Sequence, residues 1–331
     1  MHTRKVSLLA FATAVPFASA SFARADIGVP YALVDSFTLP VGSYSLLPDG
    51  RLFSIDGTGA VSIQSVPNSS TYSQVGSIGA VNSGNFWPSF VSLSPDGSTL
   101  AVGNNEFSAG NAVLFFDAND AFTGSAAPTA SILTPNFVGD WADNTTFYVS
   151  GGDANTFATV VNRLDLNSGT STTVINPAGG FSGAVAVANG TLYAGEGDTG
   201  NVYAFDLATL ASASNPAPIN AGAFTASGAS AGSIDFDPFG NIIIAGGVFD
   251  FGSGLFAGSA DVINPVTQER LSLTPAGANS FYGSYFNTAT NQLVVTADGT
   301  AYVYAIPAPA SAVVLGLLAL PRRRRQTGAA S

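Results

Sequence analysis

Six turn signals recur along the chain at a nearly constant interval, and that interval limits the fold more than any other feature. They are Pro48-Asp49-Gly50, Pro95-Asp96-Gly97, Asp143-Asn144, Asn189-Gly190, Pro238-Phe239-Gly240 and Thr290-Asn291. Measured between Gly50, Gly97, Asn144, Gly190, Gly240 and Asn291, the steps are 47, 47, 46, 50 and 51 residues. A short apolar strand follows each turn: Leu52 to Ile55, Leu100 to Val102, Phe147 to Val149, Leu192 to Ala194, Ile242 to Ile244 and Leu293 to Val295. A second loop then leads to a β-branched and aromatic strand: Ala60 to Val66, Ala112 to Phe116, Thr159 to Leu164, Asn201 to Phe205, Ala260 to Ile263 and Ala301 to Ile306. Residue type, length and Gly/Asn/Asp punctuation all mark these as strands.

A further strand precedes each turn, opened by a small or turn-forming residue with Phe often two positions earlier. The copies are Phe86-Trp87-Pro88, Phe137-Val138-Gly139, Phe181-Ser182-Gly183 and Phe281-Tyr282-Gly283, with Pro40-Val41-Gly42 and Ser230-Ala231-Gly232 as degenerate versions. Four strands per repeat, six repeats and no helical periodicity predict an all-β, six-bladed β-propeller with four-stranded blades. A two-sheet sandwich also uses short strands and frequent turns, but it gives no reason for the period. The last repeat stops at Ile306 after its third strand, and a lone strand, Tyr31 to Leu39, precedes the first. Pairing the two completes the sixth blade and leaves no exposed sheet edge. Across nearly all of this region the chain resembles the six-bladed bacterial propellers with YVTN-like or lactonase-like repeats.

Both ends differ from the repeat region. His2, Arg4 and Lys5 precede an apolar run from Val6 to Phe17, and small-residue sites follow at Ala18-Ser19-Ala20 and Ala23-Arg24-Ala25. This is the pattern of a secretory signal, 1–25, with cleavage after Ala25 or Ala20. The run is shorter than the roughly 20 residues a membrane-spanning helix needs. At the other end, Ile306-Pro307-Ala308-Pro309 leads into apolar Ala310 to Leu320, Pro321 and Arg322 to Arg325. Residues 307–331 resemble a PEP-CTERM sorting tail, with Ala308 standing where that motif usually has Glu. The resemblance implies an exosortase-type processing enzyme as partner and arginines left on the cytoplasmic side. The expected organisation is therefore signal 1–25, propeller 26–306 and tail 307–331. The expected place is the cell envelope, outer surface or extracellular matrix, with membrane contact only through the unprocessed tail.

Composition narrows the chemistry. Between residues 26 and 306 three arginines, Arg51, Arg163 and Arg270, stand against all 21 acids, a formal charge of −18. Such a surface disfavours nucleic acid and anionic membrane as partners and suits cations or neutral polymers. Cysteine is absent from the chain, so stability has to come from core burial. The single histidine is His2, so the domain has no imidazole base, Ser/His/Asp triad or histidine-ligated zinc. Lys5 is the chain's single lysine, so the domain has no Schiff-base amine either. The stretch Gly195 to Gly200 lacks a phosphate-binding Lys and joins two strands, which excludes a nucleotide loop. A carboxylate pair or carboxylate-bound Ca²⁺ remains.

Carboxylates recur in the loop between the second and third strands: Asp56, Glu106, Asp153, Glu196 with Asp198, Asp250 and Asp298. These loops share one end of the ring with the inter-blade loops carrying the aromatic residues. The candidate metal ligands are Asp153, Glu196, Asp198 and Asp250, and the candidate ligand rim is Trp87, Phe137, Phe181 and Tyr282. Calcium suits such a set of hard oxygens on irregular loops. Asp before Gly is also ordinary turn chemistry, and the Phe residues also suit packing between blades. Asp117 and Asp206 follow third strands and belong to the opposite face. Two functions follow: a non-enzymatic binding or matrix scaffold for exported polysaccharide or envelope proteins, and a Ca²⁺-dependent hydrolase or lyase of lactonase-like type.

Overall fold

A computed structural model describes residues 31–82, 86–104, 111–152, 159–176, 182–196, 200–212, 215–219, 224–225, 231–250 and 255–306. The signal segment and the tail lie outside these residues. The described part of the chain begins with β1 (Ala32–Thr38) and then builds five sheets in order. Blade 1 holds β2 (Ser43–Leu46), β3 (Leu52–Ile55), β4 (Ala60–Gln64) and β5 (Tyr72–Ser77). Blade 2 holds β6 (Val91–Leu93), β7 (Thr99–Gly103), β8 (Ala112–Asp117) and β9 (Ala130–Leu133). Blade 3 holds β10 (Val138–Trp141), β11 (Thr146–Gly152), β12 (Thr159–Asp165) and β13 (Thr170–Ile175). Blade 4 holds β14 (Ser182–Ala188), β15 (Thr191–Glu196), β16 (Asn201–Asp206) and β17 (Phe224–Thr225). Blade 5 holds β18 (Ser233–Phe236), β19 (Ile242–Asp250), β20 (Leu255–Ile263) and β21 (Arg270–Ser272).

Blade 6 is shared between the two ends of the chain. It holds β22 (Phe281–Asn287), β23 (Gln292–Ala297) and β24 (Thr300–Ala305), and β1 is its outer strand. The pairing is antiparallel from Ala32 opposite Ala305 to Thr38 opposite Thr300, so the ring closes as the sequence predicts. A latch reinforces the seam. Tyr31 donates its hydroxyl to the buried Asp237 carboxylate in the blade 5 turn, and Asn241 Nδ2 donates to the same carboxylate oxygen at 2.7 Å. Because β24 runs away from the end that carries Gly299 while β1 runs towards it, Tyr31 and Ile306 lie together at the opposite end.

The core is divided among the seams. Among the described residues six apolar clusters form, one between each neighbouring pair of blades. Successive side chains of a strand point to opposite faces. In β7, Leu100 and Val102 therefore join Phe53, Ile55 and Val91 in the seam between blades 1 and 2. Ala101 joins Phe115, Trp141 and Phe147 in the next seam. Both faces of each second strand are buried, which is why those strands read as unbroken apolar runs and not as alternating ones.

Local geometry explains the punctuation. The marker turns use the left-handed region at Gly50 (φ +83°) and Asn291 (φ +53°). Gly183, which opens the first strand of blade 4, lies so close to β15 that a Cβ there would stand 2.0 Å from the Gly195 carbonyl oxygen. Two short helices, α1 (Ala118–Thr123) and α2 (Leu207–Leu210), depart from the expectation of a helix-free chain. They follow the third strands of blades 2 and 4, where Asp117 and Asp206 cap them by accepting from the backbone N–H of Asp120 and Thr209. Neither is long enough to leave a periodic trace in the sequence.

Candidate binding channel

The first strand of every blade is innermost, so β2, β6, β10, β14, β18 and β22 together surround the ring axis. They enclose a cavity of about 590 Å³. Its mouth is built by Pro40 to Gly42, Trp87, Tyr282 and Gly299, all from inter-blade loops, strand starts or second-to-third-strand loops. Val41 is 71% exposed, Phe86 63%, Trp87 49% and Tyr282 42%, so four large apolar side chains gather at one end of the ring.

Strand register defines the floor. One position before the last pair of the innermost strand stand Ser45, Ser92, Asp140 and Asp235, and two positions before it, in the longer β14 and β22, stand Ala186 and Tyr285; their partners are Phe53, Ala101, Tyr148, Ile243, Tyr193 and Val294 in that order. Five of these six line the cavity, Ala186 being the exception. Among the described lining residues there is no Arg, Lys or His, and Asp140 and Asp235 are the acidic ones.

Each of the two carboxylates spans a seam. Asp140 Oδ1 accepts from Trp141 N at 2.8 Å and Oδ2 from Val187 N of the next blade at 2.7 Å. Asp235 repeats the arrangement, accepting from Phe236 N at 2.7 Å and from Phe286 N of blade 6 at 2.5 Å. Both side chains are half-buried; backbone N–H bonds favour the ionised carboxylates, whereas desolvation in the channel wall opposes them and prevails in both. Desolvation lifts the Asp140 pKa to about 6. It lifts Asp235 to about 7, with the charge of Asp140 adding to the rise. Burial also pushes the phenols of Tyr44 and Tyr285 upwards, so both stay neutral donors.

The residues expected from the sequence separate into three groups. Trp87 and Tyr282 line the mouth of the cavity. Phe137 is half-buried over Gly152 and is not among the lining residues. Glu196 ends β15 and is buried, accepting from Asn201 Nδ2 at 3.2 Å. Asp250 is placed by its backbone alone, as the last residue of β19 opposite Leu255. Asp153, Asp198 and Phe181 lie outside the described residues, as does Glu106. Among the described residues no three His, Cys, Asp or Glu side chains converge on a metal position.

Two of the recurring loop acids serve the backbone. Asp56 accepts from the N–H groups of Thr58 and Ala60 at 2.8 and 3.1 Å. Asp298 accepts from Asn279 N and Ser280 N at 2.8 and 3.1 Å, tying its loop to the inter-blade loop beside it. Sequence reasoning overlooked the floor pair. The available signal was an acid followed by an aromatic residue just before a marker turn, in Asp140-Trp141 and Asp235-Phe236.

Comparison with known proteins supports the architecture. No protein-family description matches the sequence, and no curated protein does. Among solved structures, the chain is similar to hydrazine synthase of Kuenenia stuttgartiensis at 17% identity and a TM-score of 0.55. That match covers 82% of this chain and 77% of the other. It is also similar to a chain of a mitotic checkpoint complex, at 13% identity and a TM-score of 0.54, over 92% and 86% of the two chains. Likeness at such identities establishes the propeller and nothing about what it binds.

Proposed function

We propose that the protein is an exported, surface-sorted binding propeller whose ligand, a neutral polysaccharide, docks at the aromatic mouth of the central channel. The observation that carries this reading is the exposure of Trp87 and Tyr282 at the open end of a 590 Å³ cavity. Aromatic faces stack against sugar rings, while the serine hydroxyls of Ser43, Ser45, Ser89 and Ser92 offer hydrogen bonds to sugar hydroxyls. The acidic domain and the two end segments support export and sorting, with an exosortase-type enzyme or an envelope protein as further partner.

The test uses the protein's own fluorophores. Trp87 is exposed, and the other tryptophan, Trp141, is 5% exposed in the seam between blades 2 and 3. Titration with neutral oligosaccharides is expected to change Trp87 emission. Trp87→Ala with Tyr282→Ala is expected to weaken binding at least about tenfold, equivalent to about 1.4 kcal/mol. Unchanged affinity in that variant would overturn the reading.

A Ca²⁺-dependent hydrolase or lyase is the second reading. What favours it is the pair of carboxylates with raised pKa values beside a cavity. Against it, both oxygens of each carboxylate are engaged by backbone N–H groups. Release of shorter products from the bound glycan, dependent on added calcium, would decide for the enzyme.

A further inference from the structure

The channel wall carries negative charge that no described lining residue offsets. Asp140 and Asp235 stand at the same register on the innermost strands of blades 3 and 5, and blade 4 places only Ala186 between them. They are near enough for the charge of Asp140 to be felt at Asp235. The arginines of the described residues are elsewhere: Arg51 pairs with Asp49 at 2.7 Å, Arg163 donates to the Ala211 carbonyl at 3.3 Å, and Arg270 opens the outer strand β21. The floor also keeps acceptor capacity. An ionised carboxylate accepts about four hydrogen bonds. Asp140 and Asp235 accept two each, from backbone N–H groups that favour the charged form and fix its direction. Among the lining hydroxyls, Ser43 donates to the Pro88 carbonyl, Ser89 to Asn136 Oδ1 at 2.8 Å, and Ser233 pairs with Ser284 at 2.9 Å. Those of Ser45 and Ser92 are left at floor level, half-buried and facing the cavity.

We propose that the channel floor binds a primary ammonium group, carried by a molecule small enough to enter the cavity and held by Asp140 and Asp235 with the hydroxyls of Ser45 and Ser92. This goes beyond the glycan reading, because it concerns the floor and holds whatever docks at the mouth.

A cleft lined by one sign of charge concentrates ions of the opposite sign. A primary ammonium brings three N–H donors and no acceptor, which matches a floor of fixed carboxylate oxygens and free hydroxyls. Calcium fits less well, since it takes about six to eight oxygen ligands and no three acidic side chains converge among the described residues. A quaternary ammonium has no N–H to give, so the acceptors would stay unfilled. The cavity of about 590 Å³ is within the roughly 300–1,000 Å³ of small-molecule sites. Above the floor, the rings of Tyr44 and Tyr282 stand with centroids 6.5 Å apart and offer aromatic faces to a cation and to the body that carries it.

Cyclohexylamine and cyclohexanol make a matched pair of probes: the same six-membered ring carries an ammonium in one and a hydroxyl in the other. At about pH 8 both floor carboxyls are ionised, and an alkylamine, with a pKa of about 10, is protonated. Two floor variants act by different routes. Asp140→Asn with Asp235→Asn removes the charge. Ser92→Lys keeps both carboxylates and every backbone bond, and sets a tethered ammonium in the cavity beside them.

Isothermal titration of the full chain tests this. Cyclohexylamine is expected to bind at least about tenfold more tightly than cyclohexanol, and added salt is expected to weaken it. Both floor variants are expected to lose at least about tenfold in affinity for the amine. Asp35→Asn with Asp120→Asn, which removes two exposed charges elsewhere, is expected to keep it. The comparison of amine with alcohol uses the unaltered chain and so survives a variant's failure to fold. Equal binding of the two probes, unchanged amine affinity in a folded floor variant, or an equal loss in the Asp35 and Asp120 variant would each overturn the proposal. Tighter binding of tetramethylammonium or calcium chloride than of cyclohexylamine would overturn it too, since neither brings an N–H. Absence of neutral oligosaccharide binding with the amine results intact would overturn only the mouth reading.

Discussion

Replacing Phe37 by Ala tests whether the closing strand is an integral part of the core. Phe37 is 7% exposed and packs with Leu39, Tyr44, Leu52, Val294, Ala301 and Val303 in the seam between blades 6 and 1. Phe→Ala in a core removes transfer energy and leaves a cavity, costing about 3–5 kcal/mol. Part of the hole opens onto the edge of β1, which is exposed along Ala32 to Ser36, so partial collapse places the expected loss near the lower value, about 3 kcal/mol. For a domain above roughly 150 residues that lowers the melting temperature by about 6–12 °C. Leu33 and Val34 on the same strand are 51% and 52% exposed, and Leu33→Ala and Val34→Ala are expected to stay within about 0.5 kcal/mol. Circular dichroism during urea and heat unfolding measures all three. A Phe37→Ala loss no larger than that of Leu33→Ala would refute the reasoning, since the strand would then add a sheet edge without sealing a seam.

Gly183→Ala is expected to cost more than a core truncation or to abolish folding, because its Cβ would meet the β15 backbone at 2.0 Å from the Gly195 carbonyl oxygen, and backbone cannot swing aside as a side chain can. Expression yield and melting temperature beside Gly124→Ala, whose nearest neighbour would be 3.8 Å away, measure the difference. Processing of the C-terminal segment is expected to remove it near Pro307 to Pro309, and mass spectrometry of the protein isolated from its native source would show an intact Ser331 if it does not.

The ring was legible because its signals are local and repeated. Pro48-Asp49-Gly50 and Pro95-Asp96-Gly97 mark turns by residue type alone, and β3 and β7 read as buried strands because each fills two seams. The closing strand was legible from arithmetic, since a sixth repeat with three strands leaves one to be supplied by Tyr31 to Leu39. The floor of the channel was not. Whether Asp140 points into the ring or out of it depends on the register of β10 against β11, and on Val187 standing one blade away. Neither is written within a few residues of Asp140. Sequence context does not separate the rim aromatics: Trp87 and Tyr282 line the channel mouth, whereas Phe137 stands in the same context and packs over Gly152. The helices α1 and α2 escaped notice because six and four residues cannot establish a period.

The shared position of Tyr31 and Ile306 has a consequence for how the molecule meets its surroundings. Both termini of the described propeller, Tyr31 and Ile306, lie on the side of the ring away from Trp87 and Tyr282. An attachment made beside Tyr31 or Ile306 would therefore hold the propeller like a cup by its foot, with the opening turned away from the point of attachment. A long polymer can reach that opening without passing the attachment, and neighbouring copies fixed side by side present all their openings in one direction. A carpet of such molecules would be a surface of parallel, acidic wells.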